Sequence, residues 1–470
     1  MEVHVRSNLA AFMWPEWAMI ERLRGGTAVM RAAGEAYLPR WPAEEPDAYR
    51  ARIGSSFLFN AFEHTVESLT GAPFSEPLKL NDDIPDVIRA NLDDADMEGR
   101  DLHNFARETF LAGLSYGHAF ILVDYPTTTG AKTQADLKIA GARPFLQLIH
   151  PQQVLYWHAS LVKGVMTADE VRIWELQDDQ AGMFSEIPIM RVRVLKPDSF
   201  EVWEAQVVSG NKPATWALVE EGPNTLGRIP LVPFYAKRTG FYTSRPPLLD
   251  LAYLNVEHWQ SASDQRHILH TARVPILGMF TDDETEGLTI GASSAVKLTK
   301  GSDMRWVETQ GHAIAAGRQD LLDLEDRMRQ IGASLIEVNT ARMTATGEVA
   351  QESREQSKLG AIAQGLEDAL NTALYLWAQW IGLDSGGTVE IFRDFGIDGT
   401  TATDQQTLLA AAGAHLISNQ TFFEEMQRRG TLTNDVDWTA EQERIAQEGP
   451  ALGTLHTSSP EAGPHVPASQ

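Results

Sequence analysis

The chain has 470 residues, of which 43% are hydrophobic and 22% are charged, so it holds enough apolar material for a substantial core. Its 39 Lys and Arg residues against 64 Asp and Glu residues give a net charge of −25, which argues against tight binding of phosphate backbones, since that needs clustered cations. It has no cysteine, which excludes disulfides, thiolate nucleophiles and cysteine-ligated metal sites.

The N-terminal half is predicted to pass from helices to strands. Residues 15–120 are predicted to be mainly helical, with apolar residues near helical spacing from Arg52 to Thr70 and from Asp101 to Leu114. The segment "AFILVDYP" at 119–126 is typical of a strand that ends at a proline. From Ala142 to Arg238 the chain is predicted to be β-rich, and the turn signal "KPDS" separates the strands "MRVRVL" and "FEVWEA".

A helix is predicted to begin at Pro246 and to run to about His270, because proline suits a first helical turn. Short strands are predicted next, at 274–280, 295–299 and 304–308. The acidic segment "TDDETEG" (281–287) lies among them. The pattern therefore indicates a helix that leads into a small β insert.

A helix with a narrow apolar seam is predicted after this insert. Its apolar residues recur at alternating spacings of three and four, which is typical of a helix that packs against another helix. The seam consists of Leu321, Leu324, Met328, Ile331 and Leu335.

A polar, Thr-rich break, "NTARMTATGEVA", follows the seam. An apolar helical face then predicts a helix from Ala350 to Leu383, roughly 50 Å long at about 1.5 Å per residue. Gly386 and Gly387 lie just past its end, as expected for a helix terminus.

The C-terminal part is predicted to hold one strand at 388–395 and a helical segment at 402–447, with a capping box from Thr421 to Glu424. The residues from Gly449 onward are rich in Pro, Ser, Gly and Ala and are predicted to form a flexible tail. No run of about 18 uncharged apolar residues occurs, so no membrane span is predicted.

The segment "GLSYG", Gly113 to Gly117, matches the G-x-S-x-G pattern of serine hydrolases, and His118 lies beside it. A nucleophile elbow needs a strand before the serine and a helix after it, whereas here the predicted order is reversed. A structural role for Ser115, with Gly117 as a helix C-cap, is therefore favoured, and a serine hydrolase that uses Ser115 is the alternative.

No cofactor or metal site is predicted. His267 and His270 lie three residues apart on a predicted helix, but no third ligand has matching spacing. The chain has no phosphate-binding G-x-x-x-x-G-K-[ST] motif and no G-x-G-x-x-G motif after a strand. The acidic segment lacks EF-hand spacing and is interpreted as a solvated loop tip.

The ordered layout resembles the portal proteins of tailed bacteriophages, over roughly residues 35–447. "PPLLDLAYLNVEHWQSASDQRHILHTARVPIL" resembles a stem helix that enters a clip, and "LLDLEDRMRQIGASLIEV" resembles the stem helix that returns. "NTARMTATGEVA" falls on the tunnel loop and "QESREQSKLGAIAQGLEDALNTALYLWAQWIGL" on the long helix. "GLSYGHAFILVDYP" is similar to the N-terminal half of one portal subgroup.

The resemblance implies an α+β subunit of portal type, with a helical and β-rich wing, two stem helices, a small β clip, a long kinked helix and a helical crown. The implied boundaries are wing 1–243 (helical 1–118, β-rich 119–243), stem helix 244–271, clip 272–314, second stem helix 315–338, tunnel loop 339–349, long wing helix 350–384, wing strand 385–400, crown 401–448 and flexible tail 449–470.

The resemblance also implies a function without catalysis. About twelve copies would form a ring at one capsid vertex, through which a separate terminase motor packages double-stranded DNA and from which the DNA is ejected. Implied partners are terminase, a head-completion adaptor that joins head to tail, and the major capsid and scaffolding proteins, with no membrane. The implied location is the virion, with assembly in the host cytoplasm.

Three groups of residues follow from the resemblance. The tunnel loop would touch DNA without sequence preference, because small polar side chains with one cation suit weak contact. The seam residues would pack against stem helices of neighbouring subunits in a closed ring with a heterologous interface. The implied tunnel-loop residues are Asn339, Thr340, Arg342, Met343, Thr344 and Thr346, and those of the clip, on the terminase and adaptor side, are Asp282, Asp283, Glu284, Glu286, Lys297 and Lys300.

Overall fold

The computed structural model describes the chain in several stretches: 2–126, 141–182, 185–206, 215–273, 276–280, 303–307, 312–336, 358–393, 409–414, 416–428, 432 and 436–448. It divides into two compact units, Met1–Arg393 and Asp394–Gln470. Helices and sheets both contribute substantially, which confirms the predicted α+β class.

The helices account for most of the predicted helical segments. In the first unit they are α1 (Asn8–Arg24), α2 (Gly26–Ala33), α3 (Pro46–Ser55), α4 (Ala61–Gly71), the short α5 (Asp86–Arg89), α6 (Leu102–Tyr116), α7 (Leu249–Ala272), α8 (His312–Ala333) and α9 (Lys358–Trp380). In the second unit they are α10 (Asn419–Arg428) and α11 (Trp438–Glu448).

Within the described ranges, the strands form two larger sheets and three strand pairs, all antiparallel. The strands are β1 (Lys79–Leu80), β2 (His118–Asp124), β3 (Phe145–Ile149), β4 (Val154–Val162), β5 (Val165–Gly182), β6 (Ser185–Leu195), β7 (Ser199–Gln206), β8 (Thr215–Pro223), β9 (Leu231–Tyr235), β10 (Arg238–Gly240), β11 (Thr243–Ser244), β12 (Ile276–Phe280), β13 (Asp303–Val307) and β14 (Val389–Glu390). One sheet has the order β3-β2-β9 and the other is the meander β4-β5-β6-β7-β8, while β1 pairs with β14, β10 with β11 and β12 with β13.

The core of the first unit is centred on β2, whose first six residues are all buried. Helices α6 and α9 pack on this strand, and the α9 residues Leu370, Leu374 and Trp377 are buried. The indole of Trp380 on the same helix donates to the carbonyl of Val123 on β2 over 3.0 Å. A strand that is apolar on both faces therefore lies between two layers, as its uninterrupted apolar sequence indicates.

The meander packs one face against the three-stranded sheet, where Phe120 and Ile149 meet Val171 and Ile173. Strand β4, "VLYWHASLV", was not predicted, although its β-branched and aromatic residues are typical of a strand. The predicted β6–β7 hairpin is confirmed, with Leu195 opposite Phe200.

The predicted helix from Arg52 to Thr70 is wrong as a single element, because the chain is extended at Ser56 (φ −67°, ψ 144°) and α4 begins only at Ala61. The side chain of Asn60 accepts a hydrogen bond from the backbone of Glu63 and so starts a new helix. Phe57 in this break is exposed. An apolar pattern that continues across a break in this way imitates one helix.

Three element ends differ from the predictions. Helix α7 begins at Leu249 rather than at Pro246. The predicted strand at 388–395 is described as far as Arg393, and in that part it is paired only over Val389–Glu390. The hydroxyl of Ser418 accepts from the backbone of Thr421, so Ser418 is the N-cap of α10. The predicted capping box from Thr421 to Glu424 is wrong, because both residues lie inside the helix. Of the predicted helix over 350–383, the stretch Lys358–Trp380 is helical and 350–357 lies outside the described residues. The predicted tail 449–470 and the predicted strand 295–299 lie outside them too.

Candidate functional site: the α7–α8 hairpin

Helices α7 and α8 lie side by side and run in opposite directions, with the β12–β13 strand pair between them in the chain. The hydroxyl of Ser261 donates to the Asp320 carboxylate over 2.9 Å. Nearer the β pair, the Gln265 amide donates to the carbonyl of Ile314 over 2.8 Å. Residue numbers rise along one helix as they fall along the other, so the two helices form an antiparallel hairpin.

The helices approach closely where Gln265 faces Gly317. A Cβ atom at Gly317 would collide with the side-chain amide of Gln265. The absence of a side chain at Gly317 therefore lets the Gln265 amide reach across and bond the backbone of α8. This contact fixes the register of the hairpin close to its β end.

Polar side chains dock α7 onto the N-terminal helices. Asn255 is fully buried, accepts from the backbone N–H of Phe62 over 2.9 Å and donates to the carbonyl of Phe59 over 2.7 Å. One and a half turns later, Gln260 donates to the carbonyl of Tyr37 over 2.9 Å. These bonds satisfy backbone groups in the irregular stretches between N-terminal helices, where no helix ladder is available to them.

The contacts continue to the last turns of α7. The hydroxyls of Ser263 and Ser56 lie 2.9 Å apart in a buried position. Arg266 donates to the carbonyl of Ser55 over 2.6 Å, at the end of α3. The hairpin is thus attached to the N-terminal helices along most of the length of α7.

The predicted seam of α8 packs within the chain itself. Leu324, Met328 and Leu335 are buried, and Leu321 and Ile331 are half-buried. Helices α7 and α4 supply the partners of α8. The seam therefore packs against helices of its own chain. Packing of the seam against a neighbouring subunit stays a prediction.

His258 lies buried between α7 and α8. Its Nε2 atom is 3.6 Å from a carboxylate oxygen of Glu325, and its ring packs 5.3 Å from the ring of Phe59. Burial lowers the pKa of His258, and Glu325 opposes that effect only partly. Glu325 also pairs with Arg329 over 3.3 Å. The imidazole is therefore neutral near pH 7 and faces a carboxylate that already has a cationic partner.

The residues that flank the polar break after α8 are hydrogen-bonded to each other. The backbone N–H of Leu359 donates to the carbonyl of Leu335 over 3.0 Å. This bond joins the two described stretches that flank the break, which end at Ile336 and begin again at Lys358. The predicted contact residues within the break, Asn339, Thr340, Arg342, Met343, Thr344 and Thr346, lie outside the described residues, as do the predicted clip residues Asp282, Asp283, Glu284, Glu286, Lys297 and Lys300.

Ser115 lies in the last turn of α6 and is fully buried. Its hydroxyl donates to the carbonyl of Leu111 over 2.7 Å, a helix-internal bond. Gly117, with a φ of +93°, ends the helix, and β2 begins at once. The predicted order of helix, turn and strand is confirmed, and it is the reverse of a nucleophile elbow.

The imidazole of His118 pairs with a different serine, because its Nδ1 atom lies 2.6 Å from the hydroxyl of Ser244. Both side chains are buried, and burial lowers the pKa of His118 to about 3. A Cβ atom on Gly117 would collide with Ser244, so this glycine allows β11 to approach. The pair was not predicted, because 126 residues separate its members and no local pattern links them.

The described residues hold no group of three or more His, Asp or Glu side chains that could bind a metal ion. His267 packs edge-on against Trp41 at 5.2 Å. His267 and His270 instead line an open groove beside α3. Among the helices in the described ranges, none is long and apolar enough to cross a membrane.

Comparisons with known proteins match this region and the chain as a whole. The family model described as a domain of unknown function, DUF4055, matches residues 247–381, which include α7, α8 and α9. No curated protein matches the sequence.

Similar solved structures come from gene transfer agent (GTA) particles, each at 12% sequence identity and a TM-score of 0.39. A chain in the neck of the empty particle, computed with C6 symmetry, matches over 78% of this chain and 88% of its own length. A chain in the virion of the native particle matches over 84% and 97%. A chain in the neck of the native particle, computed with C12 symmetry, matches over 76% and 87%. The chain is thus similar to components of phage-like particles.

Proposed function

We propose that the chain is a subunit of a portal-type ring, which joins the head of a phage-like particle to its neck and lets double-stranded DNA pass. The observation that carries the proposal is the α7–α8 hairpin with a β pair at one end and a closed polar break at the other. In this assignment α7 and α8 are the stem, β12 and β13 belong to the clip, and residues 339–349 form the tunnel loop.

The attachment of the hairpin supports a role as a rigid channel element. Helix α7 is bonded to the N-terminal helices through Asn255, Gln260 and Arg266, so forces on the hairpin pass into the wing. Helix α8 leaves an outer face with Leu322 exposed. In a ring with a heterologous interface, such a face is available for the next subunit.

The charge of the chain supports weak contact with moving DNA rather than tight binding. The chain carries a net charge of −25, so a ring of such chains repels phosphates over most of its surface. The polar break offers Arg342 as one cation among Thr and Ala side chains. Such a composition suits weak, sequence-blind contact with moving DNA.

The ring is tested by purifying the full chain and measuring its mass by light scattering, with negative-stain imaging of the same sample. We expect a closed ring with a central hole, of about twelve copies, formed by the chain alone or together with capsid proteins. Leu322→Lys should weaken assembly, whereas Met97→Lys, at the same 43% exposure in the N-terminal part, should not. A chain that is monomeric inside mature particles would refute the proposal.

The tunnel loop is tested separately, by measuring DNA per particle. Arg342→Glu places a like charge beside phosphate, so the ring should still assemble while packaged DNA falls or leaks. Arg342→Ala should have a smaller effect, because one exposed cation contributes little against a salt-screened polyanion. A full, stable genome in Arg342→Glu particles would remove this segment from the channel.

We propose that the role is structural and not enzymatic. The buried, helix-bonded hydroxyl of Ser115 supports this choice over a serine hydrolase. Ser115→Ala should leave particle production nearly normal. Loss of esterase activity together with infectivity, in a protein that still folds, would support the hydrolase instead. The clip end of the hairpin is the proposed contact with terminase and the head-completion adaptor.

A further inference from the structure

An open groove of about 830 Å³ lies beside the last three turns of α7, where they meet α3 and α8. Its volume is in the usual range of binding pockets, roughly 300–1,000 Å³. The groove is lined by side chains of a single chain.

The charge of the groove is opposite to that of the protein. Its described lining includes Arg52, Arg266, Arg273, His267 and His270 and no carboxylate, while the Asp264 carboxylate lies 3.6 Å from Arg52. In the whole chain, Asp and Glu number 64 while Lys, Arg and His together number 52, so a random lining of this size would hold acidic and basic residues in similar numbers.

Two of these basic side chains, Arg52 and Arg266, also have structural bonds within the chain, since Arg266 donates to the carbonyl of Ser55. Arg52 is buried and bonded to both carboxylate oxygens of Glu44, over 2.7 and 2.8 Å, so it belongs to the core. Arg273 and His270 are exposed at the end of α7, and Arg266 lies about two turns earlier. A helix C-terminus favours cations only in its last turn, so the helix dipole accounts for Arg273 but not for the whole stripe.

We call the apolar part of the groove lining the floor. Ala48, Ala51 and Ala262 come from two neighbouring helices, and Leu269 and Leu321 complete it. Alanine floors let a third backbone approach closely, and leucine side chains give it apolar surface to bury. Amphipathic helices dock with their apolar face in an apolar groove.

From this combination we infer that the groove binds an acidic amphipathic segment of a partner protein. A phosphate backbone would use the cations but has no apolar surface for the floor. An acidic segment would use both, with carboxylates on Arg266 and Arg273 and apolar side chains on the alanines. Electrostatic attraction would speed its association in an otherwise repulsive surface field.

The test uses a fluorescein-labelled acidic helical peptide, EELLEEALEELL, and the full-length chain. Binding is measured by fluorescence anisotropy at low and at physiological salt. Two matched peptides serve as controls, one with every Glu replaced by Gln and one with every Leu replaced by Ser. The inference predicts that both controls bind much more weakly than the parent peptide.

Variants of the protein locate the site. Arg273→Glu should weaken binding by about tenfold, the size expected when a close attraction becomes a repulsion of similar strength. Ala48→Trp should abolish binding of the peptide, because the indole fills the floor without changing the charge of the groove. Arg327→Glu makes the same charge change on α8, outside the groove lining, and should leave binding within about twofold.

A short DNA duplex is measured against the same variants. Duplex binding that Arg273→Glu abolishes and Ala48→Trp leaves intact, without peptide binding, would overturn the inference in favour of nucleic acid. Peptide binding that neither groove variant weakens, or the absence of binding by both probes, would also overturn it. Circular dichroism of each variant confirms that the loss is not one of folding.

Discussion

Two parts of the first unit are held together by different forces. The layer around β2 is built from apolar side chains, such as Phe120, Leu374 and Trp377, that are almost completely buried. The α7–α8 hairpin also buries apolar residues such as Leu324, but polar side chains such as Asn255 and Gln260 bond it to backbone groups of other elements. Apolar packing tolerates small shifts of one layer over another, because it is not directional.

Directional bonds do not tolerate such shifts. Each polar contact of the hairpin needs its donor within about 3 Å and in line with the acceptor. The hairpin is therefore expected to hold its register strictly and to lose it cooperatively when an anchor is removed. The β2 layer should instead lose stability in proportion to the apolar volume that is removed.

The largest effect should come from the apolar layer. Trp377→Ala removes a side chain that is 1% exposed, between α9 and the sheet, and should lower the free energy of unfolding by about 3–5 kcal/mol. Tyr375→Ala, two residues away but 39% exposed, should lower it by less than about 1 kcal/mol. Urea unfolding of both variants measures the difference, and equal losses would mean that α9 is not a core helix.

Removal of an anchor of the hairpin should cost somewhat less. Asn255→Ala leaves the backbone N–H of Phe62 and the carbonyl of Phe59 without their partner, at about 2–3 kcal/mol in total. Hydrogen exchange should then speed up along α7 and in the 56–62 break, while β2 stays protected. Ser261→Ala breaks a more exposed bond to Asp320 and serves as the control, with little change expected. Uniform loss of protection would contradict the separation of the two regions.

The apolar layer should also carry a pH dependence of stability. Because the pKa of His118 is lowered to about 3 in the folded chain, the unfolded chain alone takes up this proton between pH 6.5 and about 3. The contribution of His118 to the free energy of unfolding is fully present above pH 6.5. It falls as the pH falls and is smaller by about 2 kcal/mol at pH 5. The free energy of unfolding is measured with urea at pH 7.5 and at pH 5. His118→Asn should remove the contribution of His118 to the difference between the two values. An unchanged difference would show that His118 is already protonated or accessible.

The smallest effect on the free energy of unfolding is expected at His258, a polar residue of the hairpin. Neither ring nitrogen of His258 has a hydrogen-bond partner, so His258→Phe removes polar atoms that contribute little. We expect the free energy of unfolding at pH 7 to change by less than about 1 kcal/mol. His258→Ala, which leaves a cavity, should cost more and serves as the control. A loss above about 2 kcal/mol for His258→Phe would mean that the contact between the imidazole and Glu325 stabilises the folded chain.

The order of elements could be predicted from the sequence because it depends on local patterns. The seam from Leu321 to Leu335 indicated one buried face of α8, and three of its five residues are buried. A periodic pattern shows that a face is covered but not which chain covers it, so the partner within the chain was missed.

Contacts between distant residues could not be predicted. Asn255 lies 193 residues from Phe62, and a single Asn in an amphipathic helix gives no periodic signal. The break at 56–60 was missed for a different reason, since Phe57 and Phe59 continue the apolar spacing while they are partly exposed. The basic groove was missed because its cations are spread over α3 and α7 and converge only in the folded chain.

Because Leu335 and Leu359 are hydrogen-bonded to each other, the residues of the polar break between them can be replaced by another sequence. Two helix ends that are tied to each other and packed separately do not depend on the length of the chain that joins them. Doubling that length adds only about 0.6 kcal/mol of closure entropy. Residues 339–349 could therefore be replaced by a fluorescent or affinity tag while α8 and α9 keep their frame. In the assembled particle, such a tag would report directly whether this position faces the genome or the outside.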